Sequence, residues 1–308
     1  MARVRILMAT RDGARHLPEQ LASFLAQGHG DWELWASDDG STDGTPELLR
    51  DWGARHPGRL GRLLKGPGRG SAANFLSLLA HPDLAPGPVA LADQDDLWLP
   101  HRLGRALALL GAEGGPAGYA GRTTLADEGL RPLGPSWMPP RGAHFGNALL
   151  QNVLAGNTIA LDAGGLALLR ASVPAALAGE GVPHHDWWAY LVLTGAGARV
   201  VLDGEPLLLY RQHGRNALGA HRGGRAALAR LGALGDGTYG GWLRRNLAAL
   251  GRAEGLLTAE ARARAEALGG LWAGPALARA GALRRAGAWR QSRAQTALVG
   301  ALAALGRL

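Results

Sequence analysis

The sequence contains no cysteine. That excludes disulfides and thiolate metal sites, and it is what a chain of the cytoplasm can look like. Lysine is almost missing as well: Lys65 is the only one, so arginine carries the rest of the basic charge. With 48 glycines and abundant alanine, this reads as a high-GC coding bias of bacterial type, and arginine enrichment is correspondingly weak evidence of phosphate recognition. No apolar run reaches the roughly 18 residues of a membrane-spanning helix. The opening stretch, "MARVRILMATRDG", is apolar only over Ile6–Ala9 before Arg11 and Asp12, too short for the apolar segment of a secretory signal. A cytoplasmic location is expected.

What is present is a 308-residue chain that is 47% hydrophobic, enough for one large domain or one domain with an appendage. The net charge of +8 is unevenly spread. Residues 214–308 hold 15 Arg against 4 acidic residues, a net +11, whereas residues 1–213 are net −3. The sequence therefore predicts a mildly acidic body over 1–213 and a basic, Ala/Leu/Arg-rich helical extension over 214–308, each with its own partners. Nucleic-acid binding by the basic extension is one reading. The acidic body and the absence of RNP, zinc or helix-turn-helix signatures argue against it, so no nucleic-acid partner is expected. Arg mixed with Leu and Trp on helices is also the composition of a segment lying at an anionic membrane surface. The competing reading is a helical cap packed on the body.

The body alternates in the α/β manner. Strands are expected at Arg3–Ala9, Trp32–Ser37, Arg59–Lys65 and Pro88–Ala92. Helices are expected at Leu17–Gln27, from Thr45 (as N-cap, ahead of Pro46 and Glu47), at Ser71–Ala80 and at Pro100–Leu110. Further on, a strand is expected over Asn157–Leu161, a helix from Asp186 to about Gly195, and a strand over Arg199–Tyr210 interrupted at Asp203-Gly204. Such alternation predicts a mostly parallel sheet covered by helices, with ligands beyond the carboxyl ends of the strands.

Acidic clusters stand at two of those ends. "LADQDDLWLP" runs an apolar strand straight into Asp93-Gln94-Asp95-Asp96. Carboxylates at i and i+2 share one side of an extended segment, and oxygen ligands of this kind suit Mg2+ or Mn2+ with substrate phosphates. Asp96 also reads as a solvated turn residue or helix cap, and Trp98 as packing under the loop. "ASDDGSTDGT" after the second strand and "ATRDG" after the first are, taken alone, ordinary turn chemistry. In "HHDWWAYL", Asp186 beside Trp187 and Trp188 can be a helix N-cap or a general base. In "LYRQHGRNALG", His213 can be a surface residue or a metal ligand. "KGPGRGS" (Lys65–Ser71) is a faint basic phosphate loop, which keeps a nucleotidyltransferase as an alternative enzyme.

Taken in order, "ILMATRDGARHLPEQLASFLAQGHGDWELWASDDGSTDGT", "LADQDDLWLPHRL", "HHDWW" and "YRQHGRNALG" resemble glycosyltransferase family 2, in particular its bacterial rhamnosyltransferase-like branch, over about residues 3–218. The resemblance implies a GT-A nucleotide-sugar-binding fold: a Rossmann-like, mixed, mostly parallel sheet flanked by helices, here with the C-terminal helical extension. It implies an inverting, metal-dependent hexosyltransferase of polysaccharide biosynthesis. The donor would be a nucleotide-diphosphate sugar, dTDP-rhamnose or a UDP-sugar, and the acceptor a cell-surface or lipid-linked glycan, at the inner face of the plasma membrane. By the same resemblance, Thr10 and Asp39 match positions that hold base and ribose, with Asp38 supporting that loop. Asp93-Gln94-Asp95 matches the DXD motif, Asp95 for direct metal contact and Asp93 for the ribose or the metal shell. Asp186 matches the catalytic base, and His213 a late metal ligand. Gly156-Asn157 falls where the family shapes the sugar and acceptor pocket, which Trp187 and Trp188 would help to line. One departure stands out: many relatives carry "YN" where this chain has Arg11-Asp12.

Overall fold

The computed structural model describes residues 3–112, 114–212 and 237–308. Contacts divide these residues into two compact units. One comprises the described parts of Met1–Met138, Leu154–Val173 and Ala198–Gly219; the other comprises Pro139–Val153, Pro174–Gly197 and the described part of Ala220–Leu308.

The first unit carries the sheet. Strands β1 (Val4–Thr10), β2 (Trp32–Asp38), β3 (Leu60–Lys65) and β4 (Val89–Ala92) run parallel. Their connections contain α1 (Leu17–Leu25), α2 (Thr45–Arg55) and α3 (Ser71–Ala80). Beyond them lie β5 (Leu97–Trp98), α4 (Arg102–Leu110), β6 (Ala117–Ala126), β7 (Pro132–Pro135), β8 (Ala160–Leu161) and β9 (Arg199–Arg211). The sheet order is β3-β2-β1-β4-β8-β6-β9-β5, with β7 on β6. Short β8 is antiparallel to both β4 and β6, and β6 pairs with β9 in parallel, so the second half of the sheet is mixed. The order turns back at β1 and β4, whose carboxyl ends carry the first-strand loop and the acidic run. That is where a parallel sheet leaves a crevice.

The elements form for local reasons. In α1, Leu17, Leu21 and Phe24 recur at helical spacing and are buried. Phe24 meets Trp98 edge to face with ring centroids 4.6 Å apart, a contact worth about 1 kcal/mol beyond burial. Trp98 is buried, between Phe24 and the Arg102 guanidinium. Helix α3 spans the expected residues. The expectations about Thr45 and Asn157 need correction. Thr45 is not the N-cap of α2: Gly44 takes that place with a left-handed φ of 84°. Thr45 instead donates its hydroxyl to Asp43 and accepts the N–H of Gly13. The interruption expected at Asp203-Gly204 is a register shift within a continuous β9: Gly121 stands opposite Asp203, and Arg122 opposite Pro206. Asn157 belongs to a 3-10 turn (Gly156–Thr158) ahead of β8, so the expected strand is shorter at its start.

The second unit is helical: α5 (Phe145–Ala148), α7 (His185–Gly195), α8 (Thr238–Arg252), α9 (Ala259–Gly269), α10 (Ala276–Arg285) and α11 (Arg293–Ala304), with α6 (Ala163–Leu177) reaching it from the first. The segments 139–153 and 174–197 thus share a core with the C-terminal helices. Trp187 stacks on Tyr239 with centroids 6.3 Å apart. Leu243, Leu250, Leu268, Leu271, Leu283 and Val299 are buried, while Leu277 and Leu305 are exposed. Among the described residues no helix is long and apolar enough to cross a membrane.

Candidate functional site

The fully buried strand β4 delivers the chain to Asp93 at the carboxyl edge of the sheet. The carboxylates of Asp93, Asp95 and Asp96 approach so that one oxygen of each lies within 4.8 Å of the others. Sequence spacing brings two of them together; the bend in the loop adds the third. Asp96 is not a solvated turn residue or a cap. It is wholly buried, and Asn157 donates to one of its oxygens at 2.6 Å. Its other oxygen is buried with no hydrogen-bond partner among the described residues. Burial first, then the charges of Asp95 and Asp93, push its carboxyl well above the usual range, against the Asn157 bond and the Arg102 charge. Three hard oxygen donors that repel one another and include an unsatisfied buried oxygen fit a divalent cation such as Mg2+ or Mn2+.

Four side chains hold this loop, and none was singled out from the sequence. Gln20 donates to the Asp93 carbonyl at 3.0 Å. Gln94 uses both ends of its amide on Arg11, accepting its N–H and donating to its carbonyl, each at 2.9 Å. This joins the first-strand loop to the acidic run as a strand pair would. Arg102, buried, donates to Leu91 at 2.8 Å and lies 3.4 Å from the Trp98 ring centroid. Arg211, also buried, donates to the Asp95 carbonyl at 2.9 Å and to the Glu128 carbonyl and the Glu19 carboxylate. The available signals were faint: a glutamine on the far side of an extended acidic run, and an arginine ending an apolar strand.

The other strand ends are closely tied. Asp38 accepts the hydroxyls of Thr10 at 2.9 Å and Ser41 at 2.5 Å and the N–H of Ser41 at 2.8 Å. Its supporting role in the loop has a structural counterpart in these bonds. Thr10 is buried with its hydroxyl committed to Asp38, which corrects the expectation that it faces a nucleotide. Asp39 accepts the N–H groups of Gly68 at 2.7 Å and Gly70 at 2.8 Å. The "KGPGRGS" amides that could cradle a phosphate are therefore turned in part toward a carboxylate.

In the second unit Asp186 lies inside the first turn of α7, whose N-cap is His184. It is therefore not the N-cap. One carboxylate oxygen accepts the Trp187 N–H at 2.7 Å, and Asn152 donates to the same group. Burial nevertheless raises its pKa, opposed by His184 and these hydrogen bonds. Neighbouring His185 is driven down to about 3 by burial, so its ring is neutral at ordinary pH. Trp187 is 4% exposed and Trp188 0%, and the Trp187 indole N–H donates to Ala148 at 2.7 Å. Both are core residues, which corrects their expected part in a sugar pocket. Asn157, also buried, donates to Asp96 of the carboxylate cluster. His213 lies outside the described residues.

Residues 6–174 match the family model described as glycosyl transferase family 2. The chain is 33% identical over 109 residues to EpsE of Bacillus subtilis (strain 168), covering 35% of this chain and 38% of EpsE, so it spans well under half of that relative. It is 25% identical over 256 residues to the dTDP-rhamnosyl transferase RfbG of Shigella flexneri, covering 75% of this chain and 80% of RfbG. The solved structure of the mannosyltransferase PcManGT from Pyrobaculum calidifontis, in complex with GDP-Man and Mn2+, shares the fold with a TM-score of 0.52 at 19% identity, over 99% of this chain and 86% of that one.

Proposed function

The chain belongs to glycosyl transferase family 2, and from that premise we propose an inverting, metal-dependent transfer of a sugar from a nucleotide-diphosphate donor to a hydroxyl of a cell-surface or lipid-linked glycan. The observation that carries the reading is the carboxylate trio at the end of β4. Asp95 and Asp93 would hold Mg2+ or Mn2+, with Asp96 braced beneath them by Asn157, and His213 is a further proposed ligand. A divalent cation bound there supplies charge stabilisation to the diphosphate leaving group. Asp39 and Asp93 orient the nucleoside, while Thr10 and Asp38 keep the loop between them in shape.

Asp186 is the proposed general base. It takes the proton of the acceptor hydroxyl as that oxygen forms its bond to the anomeric carbon and the bond to the diphosphate breaks. A single displacement of this kind inverts the configuration. A carboxylate whose pKa is raised by burial is a better proton acceptor than a solvated one. A dTDP-sugar donor, rhamnose in particular, is the choice that the likeness to RfbG supports. The catalytic body is assigned to 1–213 and the helical extension to 214–308. Among the described residues, contact of the extension with an anionic membrane would rest on its arginines with Leu277 and Leu305, because the other large apolar side chains described there are mostly in the core.

Titrating nucleoside diphosphates and nucleotide sugars into the protein with and without Mn2+ tests the reading. Binding that strengthens with Mn2+ in the native protein, and that loses this dependence along with most transfer in Asp95→Asn, is expected. Unchanged Mn2+ dependence in the variant would remove Asp95 from the metal site.

A further inference from the structure

The helical unit carries an open surface pocket of about 560 Å3 that the proposed reaction leaves unused. Its volume falls in the range of small-molecule sites. Arg141, Arg264, Glu260, Trp289, Thr194 and Thr258 contribute to its walls. Part of the lining is fixed by backbone contacts. The Trp289 N–H donates to the Gly146 carbonyl at 3.0 Å, and a Cβ on Gly146 would fall 2.3 Å from the Gly287 oxygen, so only glycine allows these two backbones so close. Thr258 caps α9 by accepting the Ala261 N–H, and the Thr194 hydroxyl donates to Tyr190, leaving an acceptor on each hydroxyl for a guest.

The charge balance selects the guest. Arg264 is paired with Glu260 at 2.7 Å. Arg141 has no carboxylate partner among the described residues. It donates to the Arg290 carbonyl at 3.3 Å and lies 3.7 Å from the Trp289 ring centroid. Arg141, itself exposed, thus offers a planar donor with no ion-pair partner, which suits a carboxylate or a phosphate. The indole on which Arg141 stacks also lines the pocket and adds apolar surface to it. Thr194 stands eight residues after Asp186 on α7, an axial rise of about 12 Å. That is further than one sugar ring reaches, so a unit bound in the pocket is not the one that presents the reacting hydroxyl.

We propose that this pocket binds an anionic sugar unit of the acceptor glycan, with its carboxylate or phosphate on Arg141 and its ring beside Trp289. The proposal rests on the acceptor being a glycan, as read above, but its binding test does not need turnover. Glucuronate, glucose 6-phosphate and glucose are titrated into the full chain by ligand-observed NMR, and UDP with Mn2+ is titrated into the same samples. The expected result is that at least one anionic sugar binds in preference to glucose, the tighter of the two identifying carboxylate or phosphate. Arg141→Gln weakens that binding about tenfold, Trp289→Phe also weakens it, and both keep native nucleotide affinity and a native melting temperature. Should Arg141→Gln prove unfolded, Arg264→Gln with Glu260→Gln serves as the second variant, which alters the pocket while leaving Arg141 and Trp289 in place; preference for the anionic sugar is expected to persist in it. No preference over glucose, or equal affinity in native protein and folded Arg141→Gln, overturns the site. Nucleotide binding that fails while glucuronate still binds sinks the transferase reading and leaves the site standing.

Discussion

Arg211 donates its Nε–H to the main-chain carbonyl of Asp95 at 2.9 Å. One buried guanidinium thereby ties the end of β9 to the loop carrying the carboxylates, and its other nitrogens reach Glu128 and Glu19. Three acceptors in three directions match the fork of arginine and not the point charge of lysine. Arg211→Lys is expected to cost about 3 kcal/mol in denaturant unfolding and to weaken Mn2+-dependent nucleotide binding. Replacement with no loss of either would show that the loop holds its shape unaided.

The role of Asp186 separates from a structural one by its pH signature. Burial raises its pKa above the ordinary 3.8, against His184 and the hydrogen bonds of Trp187 and Asn152. A base works when deprotonated, so kcat/KM is expected to rise with pH through that raised value, as an acid limb displaced upward. Asp186→Asn should cut turnover by about 10²-fold or more and abolish the limb, with nucleotide affinity retained. A variant that keeps its turnover and loses only melting temperature leaves Asp186 as a brace for the first turn of α7.

The Gln94 clamp depends on Gly13. A Cβ there would fall 2.2 Å from the Gln94 amide oxygen, so Gly13→Ala must displace the side chain that binds Arg11. Gln94→Ala removes the same two hydrogen bonds, at a cost of about 1–2 kcal/mol. The two substitutions are expected to be strongly non-additive, the double variant being little less stable than Gln94→Ala alone. Additive losses in a chemical-denaturation cycle would mean that Gly13 is needed for some other contact.

Asp203 provides a stability test outside the carboxylate trio. Burial alone would raise its pKa, but hydrogen bonds from Arg105 and Tyr119 outweigh that and the net shift is downward. Tyr119 donates at 2.6 Å and Arg105 at 2.5 and 2.9 Å. A depressed folded-state pKa stabilises the protein above the unfolded value near 3.8, and the contribution is lost as pH falls through the folded value. Asp203→Asn should therefore lie below the native protein by about 2 kcal/mol at neutral pH, with the gap closing only below about pH 4. A gap that stays constant down to pH 3 would argue that packing, not charge, is what the substitution removes.

The parallel half of the sheet was legible in the chain because its signals are local. Alternating Val4, Ile6 and Met8 mark β1, helical spacing of Leu17, Leu21 and Phe24 marks α1, and turn chemistry ends β2 and β4 on acidic residues. The acidic run after β4 was readable for the same reason, since a strand end sets where the next side chains emerge. Only the tertiary structure decided which side chains those loops meet. Asn157 meets Asp96 across 61 positions, and Arg211 reaches Glu19 across 192. No local periodicity encodes such a pair. Folding also turned the Trp187 and Trp188 rings into a core shared with the C-terminal helices, so that leucines whose composition suits a membrane surface pack against protein instead. An apolar side chain carries the same hydrophobic free energy in the sequence whatever covers it; which surface does the covering is a property of the packed chain.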